Sequence, residues 1–203
     1  MDPTLVDARI LLARANAQQG NEVLAAEHLQ RALQERPRSA AVHQLLGELA
    51  WQNGETPKAL EHLRLALLAS ADRPKSPEAV MSHLTLALLL RKEGYLRAAA
   101  DQWQQYLAAA DNPSPEMKEH AELRDLLVLY RGKAAGILGE IFTELGDHNA
   151  ACRAYEKAVT QNPESESLKA SLVLSLARAG QADRAFAIFH EMIGGNTAYS
   201  KSL

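Results

Sequence analysis

The chain has 203 residues, of which 47% are hydrophobic and 23% are charged, and its formal net charge is −3. This composition is typical of a folded chain with a sizeable core and argues against an intrinsically disordered protein. The small excess of acidic residues argues against a protein built to bind nucleic acid, and the single cysteine, Cys152, excludes an internal disulfide framework and a cysteine-based zinc site.

Five glycines recur along the chain with spacings of 34, 40, 52 and 34 residues. They are Gly20, Gly54, Gly94, Gly146 and Gly180. Each glycine follows a leucine by eight residues and precedes an alanine by five, and a bulky apolar residue follows each alanine by four. The alanines are Ala25, Ala59, Ala99, Ala151 and Ala185, and the bulky residues are Leu29, Leu63, Trp103, Tyr155 and Phe189. This register predicts helix–turn–helix units in which the glycine ends the first helix, the alanine allows close packing and the bulky residue fills the groove between the helices.

The register resembles that of the tetratricopeptide repeat, a unit of 34 residues. On this resemblance the five repeats cover residues 6–39, 40–73, 80–113, 132–165 and 166–199. The resemblance implies an all-α, right-handed solenoid. The chain departs from the family pattern at the usual aromatic residue of the first helix, where it has Arg9, His43, His83, Ala135 and Lys169.

Two insertions, residues 74–79 and 114–131, interrupt the array, and each contains a Ser-Pro-Glu helix start. After the second start, apolar residues step by three or four without a helix breaker. They are Leu123, Leu127, Tyr130, Ala134, Ile137, Ile141 and Leu145. The spacing predicts one helix of about 30 residues, over 116–145, that projects beyond the edge of the solenoid. The alternative is a separate helix with a tight bend near Gly132.

The seven histidines contain no recognised metal-binding motif. His28 and His62 occupy equivalent positions of the first two repeats, and His43 and His83 occupy equivalent positions of the second and third. Such repetition predicts structural positions within the helix pairs. No metal, cofactor or catalytic residue is therefore expected, and Cys152 is expected to be a small buried residue.

In the tetratricopeptide-repeat family the first helices line a concave surface that takes peptides or partner helices. Positions two, five, nine and twelve of each repeat share one helical face, because they step by three or four residues. On that face the resemblance implies a partner-binding groove formed by Arg14, Gln44, Glu48, Trp51, Met81, Leu84, Leu88, Arg91 and Glu140. Leu174 occupies position nine of the fifth repeat, as Leu88 does in the third repeat.

Within this groove Trp51, Met81, Leu84 and Leu88 are expected to form a central apolar strip, framed by charged residues of both signs. The alternative is that Leu84 and Leu88 pack under the neighbouring repeat and that Trp51 is merely partly exposed. Family members that hold a C-terminal carboxylate use Lys and Asn where this chain has Ile10 and Arg14, so that function is not expected.

The predicted function is therefore a non-catalytic scaffold that binds another protein or peptide, without nucleic-acid binding or membrane insertion. Two alternatives remain: a targeting or regulatory arm of a larger enzyme, and a module that self-associates through uncapped ends. Pro3 lies 34 residues before Pro37, as at the end of a preceding repeat, and predicts a piece of a longer protein. The single free thiol favours the cytoplasm.

Overall fold

The computed structural model describes residues 3–130 and 133–196, and these residues form helices and turns without any strand. The predicted all-α fold is therefore confirmed. In chain order the helices of the described residues are α1 (Pro3–Gln18), α2 (Glu22–Glu35), α3 (Ala40–Gln52), α4 (Thr56–Ala69), α5 (Pro77–Lys92), α6 (Leu96–Asp111), α7 (Pro115–Glu119), α8 (Ala121–Tyr130), α9 (Ala134–Glu144), α10 (His148–Gln161), α11 (Glu166–Arg178) and α12 (Ala182–Asn196).

The five predicted glycines form the turns within the helix pairs. Their φ angles lie between +73° and +81°, whereas no other residue in the described part of the chain has a positive φ. A side chain is strained in this left-handed conformation, so glycine is the residue that ends each first helix at least cost. The predicted turns are confirmed at all five positions.

Each first helix packs on its own second helix, and each second helix packs on the first helix of the next pair, which makes a solenoid. Glycine permits the closest approach within two of the pairs. A Cβ atom added at Gly47 in α3 would lie 2.6 Å from Cγ of Leu63 in α4, and one added at Gly139 in α9 would lie 2.7 Å from the Tyr155 ring in α10. At these positions a side chain of the second helix therefore packs directly against the backbone of the first helix of the same pair.

The bulky residue of each second helix fills the space between paired helices in four pairs. Leu29, Leu63, Trp103 and Tyr155 are buried. Phe189 is the exception, since 48% of its surface is exposed and the prediction is wrong there. No described helix follows α12, so nothing in the described part of the chain covers that side of it.

Three of the four repeated histidines, His43, His62 and His83, link paired helices, as structural positions within the helix pairs predict. His43 in α3 and His62 in α4 face each other with their Nδ1 atoms 3.1 Å apart, and Nε2 of His43 lies 3.0 Å from the carbonyl oxygen of Pro37. One pair further along, Nδ1 of His83 lies 2.8 Å from Oε1 of Gln102. His43 and His83 are equivalent, as are His62 and Gln102, so the same two repeat positions join the first helix to the second in successive pairs.

The single long helix predicted over 116–145 is wrong. The chain is helical over Pro115–Glu119, Ala121–Tyr130 and Ala134–Glu144 instead, and Gly132, the predicted site of a bend, lies outside the described residues. The first interruption occurs at His120, which has an extended ψ of 105°. Nδ1 of His120 accepts a hydrogen bond from the backbone N–H of Leu123 at 3.3 Å. This bond caps the new helix α8 and makes the interruption stable.

The Ser-Pro-Glu helix starts are confirmed in both insertions. Ser76 caps α5 and Ser114 caps α7, each by accepting a hydrogen bond from the backbone three residues on. None of the helices in the described part of the chain is long and apolar enough to cross a membrane.

Candidate functional site

Helices α7 and α8 lie against the faces of α1, α3 and α5 on which the sequence predicts a groove. Met117 in α7 and Leu123 in α8 are fully buried, in one apolar cluster with Met81 and Leu84 of α5. Two of the four residues of the predicted apolar strip are therefore buried in a cluster that includes residues of the chain's own insertion.

Polar contacts hold α7 to the same side of the molecule. The hydroxyl of Ser114 donates a hydrogen bond to the carbonyl oxygen of Lys75 at 3.0 Å. Arg73 and Glu116 form an exposed ion pair at 2.6 Å, of a kind that contributes little to stability. The anchorage of α7 therefore depends mainly on the burial of Met117.

The other end of α8 is held by aromatic rings. The Tyr130 ring packs against Trp103 in a tilted arrangement and against Tyr106 of α6 edge to face, with ring centroids 5.7 Å and 6.3 Å apart. The Tyr106 hydroxyl lies 3.5 Å from the carbonyl oxygen of Leu126, and burial raises the pKa of that hydroxyl. The C-terminal end of α8 is thus tied to α6.

His120, between α7 and α8, contacts the first repeat. Nη1 of Arg14 in α1 lies 3.4 Å from Nε2 of His120, across 106 residues of sequence. Nε of Arg14 is buried and has no hydrogen-bond partner within residues 3–130 and 133–196. The guanidinium of Arg14 is therefore held near the insertion, and its charge also acts on the carboxyl of Glu48.

Glu48 in α3 faces the insertion one helix further along. Burial and, to a smaller extent, the carboxylate of Glu122 in α8 together raise the pKa of its carboxyl to about 7. The Gln44 amide, the Thr85 hydroxyl and Arg14 act the opposite way, because each favours the ionised carboxylate. The Thr85 hydroxyl lies 3.4 Å from Oε1 of Glu48. The site thus places the partly buried Glu48 within the electrostatic influence of Glu122, an exposed acid of the insertion.

The rest of the predicted concave face is not enclosed. Trp51 and Leu88 are partly exposed, and Leu174 in α11 is 58% exposed. Arg91 donates a hydrogen bond to Oε2 of Glu140 at 2.6 Å. This ion pair joins position twelve of one repeat to position nine of the next, as neighbours on one face of the solenoid.

The nine predicted groove residues thus fall into three groups. Gln44, Met81 and Leu84 are buried, Arg14 and Glu48 face the insertion, and Trp51, Leu88, Arg91 and Glu140 remain accessible to varying degrees. The alternative expectation is that Leu84 and Leu88 pack under the neighbouring repeat and that Trp51 is only partly exposed. Leu84 is buried, in a cluster that holds residues of α9 as well as of the insertion, whereas Leu88 and Trp51 are partly exposed.

Sequence reasoning missed Met117, His120, Glu122 and Leu123 as part of this site. One signal was available: a strip of Met and Leu side chains on a first-helix face is more apolar than an open surface usually is. That signal indicates that something covers the strip but does not say which segment does so.

Two family models match the chain. Residues 17–84 match the tetratricopeptide repeat, and residues 91–194, just over half of the chain, match the bacterial transcriptional activator domain. No curated protein matches the chain.

Many solved structures share the fold. A MamA protein has a TM-score of 0.64 and 18% identity, with 98% of this chain and 96% of that chain covered. A tetratricopeptide repeat protein from Parabacteroides merdae has a TM-score of 0.62 and 18% identity, with 95% and 67% covered. PilF of Pseudomonas aeruginosa has a TM-score of 0.57 and 20% identity, with 93% and 76% covered. At these identities the likeness concerns the fold alone.

Proposed function

Because this chain belongs to the tetratricopeptide-repeat family, and through residues 91–194 to the bacterial transcriptional activator domain family, we propose that it is a non-catalytic scaffold that binds a peptide or helix of another protein on its concave face. The observation that carries the proposal is that three apolar residues at positions of the predicted concave face, Trp51, Leu88 and Leu174, are at least partly exposed, and that the Arg91–Glu140 ion pair lies at further positions of that face. Apolar anchors next to rim charges are the usual elements of a protein-binding surface.

The side chains of the described residues offer no support for metal binding or thiol chemistry. The described part of the chain contains no group of His, Cys, Asp and Glu side chains that could hold a metal ion. Cys152 is buried, and burial raises the pKa of its thiol, so the reactive thiolate is disfavoured. The match of residues 91–194 to the bacterial transcriptional activator domain also supports a regulatory role for this chain.

The concave face is tested by the double variant Trp51→Ala and Leu88→Glu. We expect partner capture from a lysate of the source cell to fall at least about tenfold, because both apolar anchors are removed and a charge takes the place of Leu88. The matched control is Leu68→Glu, which alters a 73% exposed leucine on the second helix α4 and is expected to leave capture unchanged. Equal capture by the double variant and the control would show that partners bind elsewhere.

Exposed apolar residues at the two ends of the solenoid support a second function, end-to-end self-association. Leu12 in α1 is 50% exposed, whereas its equivalent Leu172 in α11 is 4% exposed between two helix pairs. Phe186 in α12 is 68% exposed, whereas Ala100 and Cys152, which occupy the equivalent position of earlier repeats, are buried. A particle mass that rises with protein concentration in light scattering would support this function, and a constant monomer mass would exclude it.

A further inference from the structure

A cavity of about 510 Å³ lies between the insertion and the solenoid. Its lining residues belong to α6, α7, α8, α9 and α10 and to the connection between α6 and α7. None of the nine predicted groove residues, all of which the structure describes, is among them. Because small-molecule sites have volumes of about 300–1,000 Å³, this cavity has room for a small organic molecule at a place separate from the predicted groove.

The inner wall of the cavity is apolar and closely packed. Tyr106, Leu107 and Met117 line the cavity, and all three are buried members of the largest apolar cluster. The ring of Tyr130 also lines it and packs edge to face against Tyr106. Because the core fixes these side chains, the wall is in place before a ligand enters, and it favours a molecule with an apolar body.

The outer part of the cavity carries positive charge. Lys118 in α7 and Arg124 in α8 line the cavity and are exposed to solvent. Neither side chain forms an ion pair with an acid in the described part of the chain. Asp111, the acid among the described lining residues, is paired with Lys157 of α10 instead. The two cations are therefore available to an anion from outside the chain.

The charges of the insertion are segregated with respect to this cavity. Residues 114–130 contain four acids and two bases, so the segment as a whole is acidic. Both bases line the cavity, whereas none of the four acids, each a described residue, does so. The acids are Glu116, Glu119, Glu122 and Asp125. The cavity is thus lined by the positive charges of an otherwise negative segment, which favours an anionic group there.

From this segregation we propose that the cavity binds a small amphipathic organic anion, with its apolar body against the wall of Tyr106 and Met117 and its anionic group held by Lys118 and Arg124. Hydrogen bonds from these two cations to an anionic oxygen are charge-assisted and therefore stronger than neutral ones. The bound molecule contacts the insertion and the solenoid at once. This site goes beyond the proposed scaffold function and does not depend on it.

The test compares two fluorescent probes on the full chain. One is 8-anilinonaphthalene-1-sulfonate, and the other is N-phenyl-1-naphthylamine, the same ring system without the sulfonate. We expect the double variant Lys118→Gln and Arg124→Gln to bind the sulfonate at least about tenfold more weakly and the neutral probe within about twofold of the native chain, because only the charge contact is lost. The matched control is Arg64→Gln with Lys92→Gln, which removes two exposed cations that do not line the cavity and is expected to change neither affinity.

The variant Ala110→Phe locates the probes, because Ala110 lines the cavity and a phenyl ring there fills part of it. We expect both probes to bind this variant at least about tenfold more weakly, with the circular dichroism of the chain unchanged. The proposal is overturned if the sulfonate does not bind the native chain, or if the Lys118 and Arg124 variant weakens both probes equally or neither. It is also overturned if the control weakens the sulfonate as much, or if a folded Ala110→Phe chain binds both probes as the native chain does.

Discussion

Replacement of Trp103 by alanine is expected to lower the free energy of unfolding by about 3–5 kcal/mol, the usual cost of truncating a fully buried aromatic side chain. The indole is 0% exposed and lies in the largest apolar cluster, where its ring contacts Tyr106 and Tyr130. Its Nε1 has no hydrogen-bond partner in the described part of the chain. The loss is therefore one of packing alone.

The measurement is urea denaturation followed by circular dichroism, with Phe186→Ala as the matched control. Phe186 is an aromatic residue of a second helix that is 68% exposed, so its truncation is expected to cost less than about 1 kcal/mol. A loss at Trp103 no larger than the loss at Phe186 would contradict the assignment of Trp103 to the core that joins α5, α6 and α8.

Replacement of Glu48 by glutamine is expected to stabilise the chain at pH 8 by on the order of 3 kcal/mol, from 1.36 kcal/mol for each unit of pKa difference. In the folded chain, burial first and Glu122 second raise the pKa of Glu48 from 4.5 to about 7. Folding therefore takes up a proton between these two pH values. The stability of the native chain falls as the pH rises through this window, because the folded state binds more protons than the unfolded state.

The stabilising effect of Glu48→Gln should accordingly shrink when urea denaturation is repeated at pH 5. There the carboxyl of the folded native chain is already neutral, as the glutamine side chain is at every pH. The control is Glu164→Gln, an exposed acid between α10 and α11, for which no comparable pH-dependent gain is expected. A gain at Glu48 that does not depend on pH would mean that a different interaction is responsible.

The repeating part of the fold could be predicted from the sequence because local rules set it. A glycine with positive φ, a small residue four positions before a bulky one and a serine cap are each recognisable within a few residues. Their repetition at fixed intervals removes the ambiguity of each single signal. Phe189 departs from the pattern because burial also needs a neighbouring helix, and no residue-level signal reports whether that neighbour exists.

The insertion could not be predicted in the same way. Its apolar residues keep a helical spacing across His120, so periodicity alone does not distinguish one helix from two. Histidine is not a common helix cap, and the sequence therefore gave no reason to place a break there. Where α7 and α8 lie depends on contacts with residues as far away as Arg14, and such long-range pairings leave no local pattern.

The cover over the concave face is tested most directly by the titration of the Glu48 side-chain carboxyl carbon in nuclear magnetic resonance. We expect an apparent pKa of about 7 in the full chain, and a lower pKa when Glu122→Gln removes the neighbouring carboxylate. Titration of Glu48 near 4.5 in the full chain, unchanged by Glu122→Gln, would show that the carboxyl is open to water and that α7 and α8 do not cover this face.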